Sequence, residues 1–82
     1  MAILFKMMEI IKIIMNFREN DIIVSIVDIS SIINKGTKGV ILYVLEEDKV
    51  FLVEFVDKNG ETIGDGMETV YAYQIIKYNK AI

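Results

Sequence analysis

Seven carboxylates in the second half of this 82-residue chain fall in or beside turns: Glu46, Glu47 and Asp48 in one run, then Asp57, Glu61, Asp65 and Glu68. Carboxylates grouped like this can do acid–base work, hold a hard cation or present a negative surface to a basic partner. The first two uses are poorly supported by the rest of the composition. With His 0 and Cys 0, the chain has no side chain that titrates near neutrality unperturbed, no thiolate nucleophile and no strong nitrogen or sulfur metal ligand. Asp57, Asn59 and Glu61 lack the twelve-residue spacing of a calcium loop and bring only two carboxylates. No enzymatic activity, cofactor or metal is expected. The third use remains: the seven acidic residues could oppose a basic groove if the hairpin tips and the Gly64–Gly66 loop lie together.

Tyr43, Tyr71, Tyr73 and Tyr78 are the other groups suited to recognition. Tyr71 and Tyr73 share one strand face, either as an exposed aromatic platform or as a rim over the core; tyrosine is enriched at interface hot spots. Gly36 and Gly39 precede a strand and not a helix, so a phosphate cradle would lack its helix N-terminus. Lys35 and Lys38 beside them are possible phosphate contacts, but Lys and Arg total 9 against 12 Asp and Glu, net −3. A basic stripe suited to nucleic acid is not evident.

The elements that must position these groups follow from periodicity. Polar residues at Lys6, Glu9, Lys12, Asn16 and Glu19 form one stripe of a 3.6-residue helix over 3–17. Ile3, Met7, Ile10, Ile14 and Phe17 line its apolar side. Such a helix packs on its own domain, and its wide apolar arc also suits a second copy; a homodimer is expected. Charges at Lys6, Glu9 and Lys12 keep apolar runs to five residues or fewer, so a spanning helix is not expected. An anchor lying in the membrane surface is the competing reading.

From residue 21 the pattern is that of strands. Ile22 to Val27, Val40 to Leu45, Lys49 to Val56 and Glu68 to Tyr73 read as the first four; Gln74 to Ile76 reads as one 3₁₀ turn and Lys77 to Asn79 as the last strand. Phe51, Val53 and Phe55 share one face of the third, with Glu54 on the other. Glu46-Glu47-Asp48 and Asp57-Lys-Asn59-Gly60 make hairpins, the second with positive φ expected at both Asn59 and Gly60. Both Gly36 and Gly39 are expected to supply positive φ in the early loop. The expectation is a single domain over 1–82, mainly β with one N-terminal α-helix, its residues 21–80 a small five-stranded SH3-like barrel; an OB-like barrel competes.

The runs Asp21-Ile-Ile-Val-Ser, Lys35-Gly-Thr-Lys-Gly39-Val-Ile, Val53-Glu-Phe-Val-Asp57-Lys-Asn-Gly60-Glu-Thr and Tyr73-Gln-Ile-Ile resemble a family of short bacterial proteins known as a domain of unknown function with a KOW/SH3-like barrel. The resemblance covers about residues 17–80 and leaves out the N-terminal helix, which translation starting at the alternative Met15 would omit. In size and acidity the chain is also similar to immunity proteins, the inhibitors of bacterial polymorphic toxins. Together these imply a cytoplasmic inhibitor of a cognate toxin, a basic nuclease, acting through Glu46, Glu47, Asp48, Asp57, Glu61, Asp65, Glu68, Tyr71 and Tyr73. The alternative is a nucleic-acid or ribosome-associated SH3/KOW-like module.

Overall fold

The computed structural model describes residues 16–78. Five strands follow one another: β1 (Ile22–Ser25), β2 (Lys38–Glu46), β3 (Val50–Val56), β4 (Glu68–Tyr71) and β5 (Ile75–Lys77), with a 3₁₀ turn at Ala72–Gln74. They form one antiparallel sheet in the order β4-β3-β2-β1-β5. The chain is mainly β, as its alternating pattern implies. Among the described residues no helix is long and apolar enough to cross a membrane.

β3 shows how the pattern becomes a core. Phe51, Val53 and Phe55 are buried, while Val50, Leu52, Glu54 and Val56 on the other face are half-buried. Ile23, Ile33, Ile41, Val70 and Ile75 complete the buried layer. Each such side chain contributes about 1.5–3 kcal/mol by leaving water.

The helix expected over 3–17 lies outside the described residues apart from its end, and there the expectation needs correction. Asn16, Phe17 and Arg18 have no regular structure. Phe17 is buried, its ring centroid 5.3 Å from that of Phe51 at 70°, edge to face. Its apolar surface is used within its own core and is not available to a second copy. Ile3, Met7, Ile10 and Ile14 lie outside the described residues.

Two bulges in β2, between Ile41 and Tyr43 and between Val44 and Glu46, change the phase of its alternation. Ile41 faces Val53 and the core, but after the first bulge Tyr43 pairs with outward-facing Leu52 and Val44 with inward-facing Phe51. Tyr43 is therefore exposed. An uninterrupted strand would have turned it inward.

The glycines divide their work differently from expectation. Gly36 has φ 92° and meets open space, whereas Gly39 lies inside β2 with ordinary φ. A Cβ there would lie 2.6 Å from Val53 Cγ1, so Gly39 permits close strand packing and not a turn. In the 57–61 turn only Gly60 has positive φ, at 80°. The Gly60 N–H donates to Asp57 O and the Asp57 N–H to Glu61 O, a three-residue connection in which Asn59 needs no left-handed backbone.

β1 stops at Ser25, two residues earlier than expected, because Ser25 ties down the following loop. Its buried Oγ donates to Asn34 O at 3.0 Å and accepts from the Thr37 N–H at 3.2 Å. The 3₁₀ turn and β5 also begin two residues earlier than expected. Gln74 Oε1 accepts the Tyr71 N–H at 2.9 Å, closing the turn at 72–74 and leaving Ile75 to point into the core.

Candidate functional site

The acidic residues do not gather on one surface. Glu46, Glu47 and Asp48 occupy the β2–β3 tip at one end of β3, and Asp57 and Glu61 the turn at its other end. Seven strand residues separate these turns by about 20 Å. Glu68 sits on β4 opposite Val53, half-buried, and Asp65 in the exposed Gly64–Gly66 loop.

Local bonding separates the two ends further. Asp57 Oδ1 accepts the N–H groups of Asn59 at 2.8 Å and Glu61 at 3.0 Å, so this carboxylate holds its own turn. At the tip, Lys49 Nζ lies 3.4 Å from Glu46 Oε1, both side chains exposed. Asp48 has φ 63°, a left-handed conformation that Asp adopts more readily than most residues.

What the fold does bring together is the tip and the tyrosine pair. Val50 pairs with Tyr71, and the Ala72 N–H donates to Lys49 O at 2.9 Å, so the 3₁₀ turn lies against the base of the tip. An open groove of about 400 Å³ results, lined by Val50 and Ala72, by Tyr71 and Tyr73, and by Glu46, Asp48 and Lys49 of the tip. The tyrosine rings stack with centroids 5.8 Å apart and planes within 7°. They are 46% and 68% exposed, a platform and not a rim over the core.

At the opposite end Lys35, Thr37, Lys38 and Lys58 surround a second groove of about 540 Å³, with Asp57 also in its wall. Lys38 Nζ lies 4.1 Å from the centroid of the Tyr78 ring, a cation–π contact. The positive charge here is interrupted by a carboxylate and partly engaged by an aromatic face. Sequence reasoning did not single out Lys58 for this cluster. Its signal was present, since Lys58 is in the hairpin turn that β2–β3 pairing places near Lys38.

The profile of a family described as a domain of unknown function (DUF4926) matches residues 19–77. No curated protein and no solved structure matches the chain. The match covers all five strands, and the chain belongs to this family.

Proposed function

We propose that this member of the DUF4926 family is a non-catalytic binding protein of the immunity type, which neutralises a cognate bacterial toxin with a basic surface, such as a nuclease. One observation carries the reading: two of the tip carboxylates, Glu46 and Asp48, and two exposed, stacked tyrosines line the same groove. Aromatic anchors beside a tip whose charge is net negative are suited to a basic protein surface, where charge speeds encounter and the rings hold the complex. The contact surface is narrower than the sequence suggested. It comprises Glu46, Glu47, Asp48, Tyr71 and Tyr73, without Asp57, Glu61, Asp65 and Glu68.

In the same reading the sheet curls into an SH3-like barrel. Flat strands about 4.8 Å apart would place β4 and β5 about 19 Å from each other. The chain crosses from one to the other through a 3₁₀ turn of three residues, which rises only about 6 Å. The protein acts in the cytoplasm, and residues 3–15 provide the apolar contacts of a homodimer. The alternative function, a nucleic-acid module, is favoured by Lys35, Lys38 and Lys58 around one groove; Asp57 in that groove weighs against it.

The test is growth rescue. The full chain is co-expressed with a candidate basic toxin domain, sought among the neighbouring genes, then compared with the E46K/E47K/D48K variant after circular dichroism has shown both folded. Rescue by the wild type and its loss in the variant are expected. Undiminished rescue by the variant would remove the tip from the partner surface.

A further inference from the structure

We infer that the groove between the tip and the tyrosine pair seats an arginine side chain of the partner, its guanidinium plane on the open face of the Tyr71–Tyr73 stack and its N–H groups directed at the tip carboxylates. The inference rests on the proposed function, since it names what that basic partner inserts.

Three features select this occupant. The rings are within 7° of parallel and Tyr73 is 68% exposed, so the stack offers a flat π face to solvent. A planar, weakly hydrated guanidinium stacks on such a face, whereas an ammonium is a compact, strongly hydrated point charge. Val50 and Ala72 add apolar lining, which suits the methylene stem that carries the guanidinium.

Charge supplies the third. Lys49 lies against Glu46, while Glu47 and Asp48 form no ion pair among the described residues. Asp48 lines the groove and can accept from a guanidinium fork with both carboxylate oxygens. A neutral aromatic ligand would use the rings and leave these carboxylates idle, and an acidic one would be repelled by them. The second groove lacks this combination, because its lining includes no tyrosine and three lysines.

The experiment needs no toxin. Acetyl-Gly-Arg-Gly-amide, its lysine analogue and its citrulline analogue, which keeps the planar shape without the charge, are titrated into the full chain carrying ring-labelled tyrosine. NMR follows all four tyrosines. The arginine peptide is expected to move the Tyr71 and Tyr73 signals saturably, with the lysine peptide at least about fivefold weaker and citrulline without effect. Tyr73→Ala is expected to abolish the response and Asp48→Asn, which retains a residue tolerant of left-handed backbone, to weaken it at least about threefold. Equal responses to the three peptides, or shifts confined to Tyr43 and Tyr78, would overturn the assignment. The two readings fail separately. If the peptide result holds but the triple tip variant still rescues growth, the arginine site stands and the toxin reading falls; if rescue needs the tip but arginine and citrulline peptides are indistinguishable, only the guanidinium falls.

Discussion

The two ends of β3 carry similar residue types and use them in opposite ways. At the lysine end the polar groups are engaged inside the chain: Asp57 holds two backbone N–H groups, Lys38 covers Tyr78, and Ser25 ties the 26–37 loop to β1. At the tip end Glu47 and Asp48 have no ion-pair partner among the described residues, and two large aromatic rings stack in contact with water. Charge density alone would rank the two ends alike. The distinction lies in which carboxylates the register places beside an exposed aromatic face, and it turns seven candidates into the three of the tip.

The sharpest way to break this comparison is to reverse charge at each end in turn. E46K/E47K/D48K is expected to slow association with a basic toxin domain by about ten- to a hundredfold at low salt and to flatten the salt dependence. Glu61→Lys at the other end is expected to leave the rate within about twofold, because screening at physiological salt acts over about 8 Å. Stopped-flow association at several salt concentrations reads both. Comparable slowing by the two variants would mean that the partner spans the whole sheet edge.

Much of the fold was legible before the structure. The Phe51, Val53, Phe55 alternation, the two hairpin tips and the onset of strand periodicity near residue 21 are local signals, each written in a few consecutive residues. The candidate site was only half legible, because it depends on register. Val56 bridges to Thr62, but Val53 pairs with Glu68, so three extra residues enter between the two pairings. Gly64 and Gly66, with φ 69° and 98°, absorb them. Their flexibility is visible in the sequence, but the number of residues looped out is not; that number places Tyr71 opposite Val50 and thus beside the tip. The β2 bulges are hidden for the same reason. Nothing in Ile41-Leu-Tyr43-Val44 announces that Tyr43 and Val44 exchange faces.

Stability is expected to show the reverse ranking of the ends. Ser25→Ala removes a buried hydroxyl that both donates and accepts; because the Thr37 N–H and hydroxyl still donate to Asn34 O, the loss should cost about 0.5–1.5 kcal/mol by urea unfolding. Asp57→Ala should cost about 1 kcal/mol through its exposed turn. Asp57→Ala is not expected to change toxin association by more than about twofold, since it acts the length of β3, about 20 Å, from the tip. A fall in association that persists where the variant is fully folded would connect the two ends.

The smallest expected effect tests whether Lys38 is engaged or available. Its ammonium 4.1 Å from the Tyr78 ring is a surface cation–π contact, worth about 0.5–1 kcal/mol. Lys38→Met keeps most of the stem and removes the charge, so stability should fall by no more than that amount. The same variant decides what the lysine groove does with phosphate. If Lys38 were a phosphate contact, binding of a short single-stranded RNA would weaken and its salt slope would drop by about one unit. With the charge already committed to Tyr78 and Asp57 in the groove wall, wild type and variant are expected to show the same marginal RNA binding at 150 mM salt, close to about 0.1 mM or weaker. A measured loss of affinity in the variant would give the lysine end a function of its own and reverse the assignment of roles between the two ends of β3.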